Sequence, residues 1–169
     1  VVSLLSVNLI CVGKVKEKYI IMGIDEFTKR LQSFAKFSLI ELKEDGNDSN
    51  RDESIKKESI LIKNCLEKSK GYNILLDVKG KEYSSEDMSR EIEKLTVNGV
   101  STINFIIGGS YGVSDEIKAS ANIRLSFSKM TFPHQLMRLI FIEQLYRWFT
   151  ITNNIKYHSC FAGGYLYHV

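Results

Sequence analysis

An α/β domain, with a mostly parallel sheet and helices on both faces, is the fold this sequence predicts, and three observations predict it. Short apolar runs alternate with helix-period segments along the chain, in the order βαβαβαβαβα. The chain has 169 residues, 44% of them hydrophobic, enough for one domain spanning residues 1–169 with its own core; no linker or repeat divides it. Two of the apolar runs, at 102–107 and 122–127, lead straight into loops of unusual composition. Ligands of open α/β sheets gather at such carboxyl ends of strands, so the site is expected there.

The first run, Val7 to Val12, ends at Gly13 and has the pattern of a buried strand. A basic loop with Lys14, Lys16 and Lys18 follows, then a helix expected from Glu17 to Phe34 with Tyr19, Ile20, Met22, Ile24, Phe27 and Leu31 on its apolar stripe. Lys36 to Leu42 reads as a second strand, and the polar stretch from Glu44 to Arg51 carries the turn sequence Asp45-Gly46-Asn47-Asp48. A second helix is expected from Glu53 to Lys68, and a third strand from Asn73 to Val78. Ser84 opens a capping box closed by Asp87, and Asn98-Gly99 ends the helix it starts. After the fourth strand come a short polar helix and a fifth strand, Asn122 to Phe127.

The last helix is expected from Pro133 to Ile151, because proline costs nothing where a first-turn residue needs no N–H. Its apolar residues, among them Leu136, Met137, Ile140, Phe141, Leu145 and Trp148, surround nearly the whole circumference. A helix apolar all round is buried on more than one side. One domain of this size rarely surrounds a helix, so a two-fold homodimer is expected to cover it.

Net charge is only +3, but it is unevenly placed. From Ile117 to His158 six bases face Glu143 alone, 6 − 1 = +5, whereas Glu41 to Glu58 holds seven acids and four bases, 4 − 7 = −3. The basic part is the part with the candidate site. Cys11, Cys65 and Cys160 fit no metal spacing and read as free thiols of a reducing compartment, so a cytoplasmic protein with no metal is expected. The apolar opening, Val1 to Val12, lacks a basic leader and is too short to span a bilayer, so no membrane association is expected.

Gly108-Gly109-Ser110-Tyr111-Gly112 follows the fourth strand. It lacks the Gly-Lys-Ser/Thr ending of a phosphate loop and is not the dinucleotide fingerprint. It does match Gly-x-Ser-x-Gly, the nucleophile elbow of serine hydrolases, and Asp115 and His134 follow in triad order. Against a hydrolase built on Ser110, Asp115 is only five residues away and no oxyanion-hole glycine motif lies upstream. The glycines could also simply turn the chain. A third reading lets a planar or extended ligand lie against bare backbone, with the strand end at Leu76, the diglycine turn and the segment after Phe127 forming one pocket. A non-catalytic RNA-binding or ribosome-binding module is a further alternative.

The segment Leu125-Ser126-Phe127-Ser128-Lys129-Met130-Thr131-Phe132-Pro133-His134-Gln135, preceded by Gly108-Gly109-Ser110-x-Gly112 and followed by Arg138 and Glu143-Gln144-x-Tyr146-Arg147, resembles the ribosomal RNA large subunit methyltransferase H family. These are SPOUT-class enzymes that use S-adenosylmethionine. The resemblance runs from Val7 to His158 and is densest from Phe105 to Arg147. It implies a C-terminal trefoil knot, a homodimer, and methylation of N3 of a pseudouridine in large-subunit ribosomal RNA. A small protein has little surface for reading sequence, so the assembled ribosome or its large subunit is expected to present the base. Carried over, the cofactor contacts fall on Leu76, Gly108 and Phe127, Ser128, Lys129, Met130, Thr131 and Phe132. Tyr157-His158 matches the family's terminal Tyr-His and is expected at the acceptor base, the tyrosine stacking or hydrogen-bonding and the histidine moving a proton. His134 is expected to help hold the cofactor loop, and Arg138, Lys14 and Lys16 to face RNA. By the family's pattern Val1–Ser6 and Ser159–Val169 are atypical extensions, the second ending in another Tyr-His, Tyr167-His168.

Overall fold

A computed structural model describes residues 4–46 and 49–157. Five strands, β1 (Ser6–Val12), β2 (Lys36–Leu42), β3 (Tyr72–Glu82), β4 (Thr102–Ile107) and β5 (Ile123–Ser126), alternate with α1 (Lys18–Leu31), α2 (Arg51–Ser69), α3 (Ser85–Val97), α4 (Asp115–Ser120) and α5 (His134–Thr152). The strands form one sheet in the order β2-β1-β4-β3-β5, and every neighbouring pair is parallel. The expected α/β class is therefore the observed one.

The largely apolar runs of β1 and β4, interrupted at Asn8 and Asn104, whose side chains hydrogen-bond to each other at 2.9 Å, have a direct cause. Successive side chains point to opposite faces, so Val7, Leu9 and Cys11 enter one core with Ile103, Phe105 and Ile107, while Ile10, Val12 and Ile106 enter the other. Helices α1, α3 and α5 cover the first face, and α2 and α4 the second. A strand buried on both sides has no polar face to alternate.

Local chemistry fixes the helix starts. The side chains of Asn50, Ser84 and Ser114 accept hydrogen bonds from the N–H groups of Glu53, Asp87 and Ile117, capping α2, α3 and α4. Strand β3 runs four residues beyond the expected Val78. Its pairing with β5 slips, since both Leu76 and Lys81 lie opposite Leu125. The returning segment passes so close to β5 that a side chain on Gly80 would collide with the Arg124 carbonyl. The polar Lys79-Gly80-Lys81 sequence carries no strand periodicity, which is why this extension was not expected.

Helix α5 corrects the argument made for a partner subunit. No residue from His134 to Ile151 is exposed, because the sheet lies beneath α5 while α1 and α3 pack alongside it. Trp148 is 3% exposed and sits among Phe105, Phe127 and Phe141, with ring centroids 6.0–6.1 Å away. Each such aromatic pair contributes roughly 0.5–1.5 kcal/mol beyond burial. Most of the apolar surface of α5 is covered within one chain, while Leu136, Met137, Leu139 and Ile140 stay partly exposed.

Candidate active site

Three chain segments meet where the carboxyl ends of β4 and β5 flank the middle of β3, which continues to Glu82. Leu75–Val78 from β3, the turn from Ile107 to Val113 after β4, and the stretch after Phe127 enclose a cavity of about 300 Å³, closed at one end by His134 and Met137 of α5. Of the residues expected to hold a cofactor, Leu76, Gly108, Phe127, Ser128, Met130, Thr131 and Phe132 all line it. Lys129 does not; its side chain is exposed.

The glycine turn is shaped by its own packing. Gly112 sits at φ +84°, its N–H donates to the Gly109 carbonyl at 3.0 Å, and a Cβ on Gly108 would come within 2.8 Å of Val113. Bare backbone at Gly108 is thus demanded first by the turn, and only then available to a ligand. Helix α2 holds the turn from behind. The Ser114 N–H donates to Ser59 Oγ at 3.0 Å, and the Arg51 guanidinium lies over the Tyr111 ring at 5.1 Å. Glu58, 4% exposed, lies so close to Gly109 that a Cβ there would approach its carboxylate to 2.6 Å. Burial pushes the Glu58 carboxyl up from the ordinary glutamate range, although the Asp45 N–H donates to it at 3.1 Å.

The segment after β5 is folded by its own hydroxyls: Ser126 Oγ donates to the Ser128 carbonyl at 3.1 Å, and the Met130 N–H donates to Ser128 Oγ at 3.0 Å. Met130 is left 73% exposed at the rim. The cavity also has a charged wall absent from the expectations. Asp77 and Lys118 line it, and Asp77 is fixed by Arg124, whose Nε donates to Oδ2 at 2.9 Å, and by the Lys79 N–H, which donates to Oδ1 at 2.9 Å. Burial alone would raise the Asp77 carboxyl, but these donors outweigh it and hold it below its usual range. Asp77-x-Lys79-Gly80 has the composition of a turn after a strand, so Asp77 had a sequence signal; Arg124, on another strand, had none.

Arg138 is corrected outright. It is fully buried, and its guanidinium donates to the backbone carbonyls of Gly13, at 2.9 Å, and Val12, and to Glu41 at 3.3 Å. It braces the end of β1 against α5 and does not face RNA. Lys14 and Lys16 are exposed on the loop after β1, which is tied down by the Val15 N–H donating to Glu41 at 2.9 Å and the Lys16 N–H donating to Gln135 at 3.1 Å.

Tyr157 does not line the cavity. Its hydroxyl donates to Glu143 at 2.9 Å, its ring lies edge-on to Tyr146 at 4.9 Å, and the Arg147 guanidinium lies over it at 5.1 Å. Burial and the Glu143 carboxylate push its phenol up to about 12. His158, the other expected catalytic residue, and the tail with Cys160 and Tyr167-His168 lie outside the described residues.

The hydrolase arrangement is absent: among the described residues no hydrogen bond links Ser110, Asp115 and His134, and the Asp115 side chain is fully exposed beside Lys118. Burial pushes the Cys11 thiol up to about 12, which makes it inert. Among the described residues there is no cluster of three or more His, Cys, Asp or Glu that could hold a metal ion, and no helix long and apolar enough to cross a membrane.

A parallel α/β sheet with a cavity at its edge, walled by a glycine turn and a hydroxyl-folded loop, defines an α/β protein with a ligand-sized site. Residues 5–158 match the family described as "Predicted SPOUT methyltransferase", and the chain belongs to that family of methyltransferases. It is 57% identical over 155 residues to the ribosomal RNA large subunit methyltransferase H of Fusobacterium nucleatum, covering 92% of this chain and all of that one. To the protein of the same name from Clostridioides difficile it is 46% identical over 161 residues, again covering 92% of this chain and all of the relative. Its fold is also that of a probable methylase family protein from Haemophilus influenzae, with TM-score 0.56 at 12% identity over 92% of this chain and 71% of that one.

Proposed function

We propose that this protein methylates N3 of a pseudouridine in large-subunit ribosomal RNA, using S-adenosylmethionine held in the cavity between β3, β4 and β5. The observation that carries the reading is the convergence of Leu76, Gly108 and the segment from Phe127 to Phe132, far apart in sequence, on that one cavity. The names of the relatives from Fusobacterium nucleatum and Clostridioides difficile support the ribosomal RNA substrate. The residues present suit the cofactor: apolar walls from Leu125, Phe127 and Met137 accept a planar base, and Asp77, Lys118, Ser128 and Thr131 supply polar partners at the edges. When bound, S-adenosylmethionine supplies a methyl group already activated on a sulfonium.

The chain's own task is then alignment and proton management. Pyrimidine N3 carries a proton in its neutral form, and that proton must be accepted as the N–C bond forms. His158 is assigned that role. Tyr157, whose phenol stays protonated far above neutrality, is assigned hydrogen-bond donation or stacking. Lys14 and Lys16 are assigned to RNA phosphates, which makes binding salt-sensitive.

The active form is a homodimer in the cytoplasm; that Tyr157 does not line the cavity of its own chain is in keeping with a second subunit at the site. The exposed apolar residues Tyr19 and Met22, on the first turns of α1, support an interface there. The β4–α4–β5 crossover, which carries the chain past β3 to the sheet edge before α5 returns to the other face, is in keeping with a trefoil knot.

The test offers tritiated S-adenosylmethionine to ribosomes lacking the modification and, separately, to protein-free ribosomal RNA. Label on the ribosomes alone supports the full reading. Equal label on naked RNA overturns recognition of the assembled particle, and label in neither overturns the enzymatic reading in favour of a binding module.

A further inference from the structure

The geometry points to Asp77 as the residue that recognises a ribose hydroxyl of the cofactor, making it a specificity-determining residue for nucleoside ligands in this cavity. The inference rests on the cavity holding an adenosyl cofactor. It starts from the fact that Asp77 and Lys118 are the acidic and basic side chains on the cavity wall, whose remaining surface is largely apolar. Lysine has only hydrogens to donate, and the Ser128 and Thr131 hydroxyls on the same wall are neutral acceptors, so the charged acceptor open to a donating hydroxyl is Asp77.

The placement of Asp77 suits the task. It directly follows Leu76, a β3 residue that lines the same cavity and is expected to contact the cofactor; with the adenine against Leu76, the ribose bonded to that base falls beside Asp77. Its carboxylate is also held still. Arg124 occupies Oδ2, while Oδ1 receives the Lys79 N–H and retains acceptor capacity, since a carboxylate offers about four lone-pair sites. An acceptor fixed on two sides before binding loses little freedom on binding. Arg124 further decides between two possible roles. Because its charge offsets that of Asp77, the pair presents the cavity with a hydrogen-bond acceptor rather than a net negative field, which suits a neutral hydroxyl better than a sulfonium.

The experiment is calorimetric and needs no turnover. The purified full chain is titrated with S-adenosylhomocysteine, with its 2′,3′-dideoxy analogue and with S-adenosylmethionine. The parent protein is expected to bind the dideoxy analogue about tenfold or more weakly, the scale of one hydrogen bond to a charged acceptor. Asp77→Ala is expected to bind both ligands with nearly equal affinity, whereas Arg124→Gln, which loses the ion pair and keeps the carboxylate, retains the discrimination. If Asp77→Ala does not fold, the isosteric Asp77→Asn should show the discrimination reduced. Equal binding of the two ligands by the parent, or undiminished discrimination in the Asp77 variants, overturns the inference. So does a loss confined to S-adenosylmethionine, which would mean that the carboxylate reads the sulfonium. A parent chain that binds none of the three overturns the proposed cofactor itself, a different result from binding without discrimination.

Discussion

Replacing Arg138 with methionine keeps the apolar stem and approximate volume of the side chain while removing the guanidinium. The perturbation acts at a fully buried position, where the guanidinium donates to the Gly13 carbonyl at 2.9 Å, to the Val12 carbonyl and to Glu41 at 3.3 Å. Two buried carbonyls then lose a charged donor, each loss costing roughly 1.5–3 kcal/mol, and removing one partner of a buried ion pair costs about 3–5 kcal/mol in all. Two features favour the lower end: Glu41 is 30% exposed and can turn to water, and Arg138 Nε has no hydrogen-bond partner among the described residues. A loss of about 3 kcal/mol is therefore expected, lowering Tm by roughly 6–12 °C for a domain of this size. Urea denaturation measures it, with binding of S-adenosylhomocysteine followed well below the transition. Arg138→Lys should fall between, since a single ammonium cannot span both carbonyls and Glu41 as a planar fork does. A folded Arg138→Met protein within about 1 kcal/mol of the parent, binding cofactor normally but failing to methylate RNA, would refute this reasoning and return Arg138 to the RNA surface.

Three other outcomes are expected. Because burial raises the Glu58 carboxyl, the folded state holds that proton more tightly than the unfolded chain; its contribution to stability is whole below the ordinary glutamate pKa of about 4.3 and is lost as pH rises through the folded value. Glu58→Gln should thus be more stable than the parent at neutral pH and indistinguishable from it in acid, as denaturation at several pH values would show; a variant less stable at neutral pH contradicts it. The phenol of Tyr157, held up to about 12 by burial and Glu143, should appear as a late component in the tyrosinate absorbance difference between the parent and Tyr157→Phe, and a midpoint near the ordinary value of about 10 would count against the Glu143 contact. Met22→Asp places a charge on a residue 72% exposed in the single chain, so it should leave the fold and cofactor binding intact while converting a dimer to monomers in sedimentation. An unchanged dimer moves the interface elsewhere.

Most of the fold was legible because its rules are local. The buried runs of β1 and β4, the cap at Ser84, and the start of α5 after Pro133 all follow from a few neighbouring residues, and those elements are found where the pattern put them. The elements that departed from expectation are decided across the sheet. Strand β3 continues past Val78 because Gly80 admits the backbone of β5, a fact written in Arg124 as much as in Gly80.

The site divides along the same line. Leu76, Gly108 and the stretch from Phe127 to Phe132 could be named through a family resemblance, and the sheet order explains why they meet: β3 lies between β4 and β5, so the carboxyl ends of those two flank its middle at Leu76. Asp77 escaped notice because its meaning depends on Arg124, and Glu58 because its meaning depends on Gly109. For Arg138 and the apolar circumference of α5 the failure has another source. Both are conspicuous in sequence, a cation in an apolar setting and a helix with no polar face, and both suggested something outside the chain, RNA in one case and a second subunit in the other. Composition alone cannot say whether an unusual helix is covered by a partner or by its own chain. Here α1, α3 and the sheet cover most of it, and the cation that looked free for phosphate is held by the end of β1. Surface for RNA and for a second subunit is instead sought among residues the fold leaves exposed, Lys14, Lys16, Tyr19 and Met22. All four lie on the loop after β1 and the start of α1, and the Lys16–Gln135 hydrogen bond ties that segment to the helix that closes the cavity.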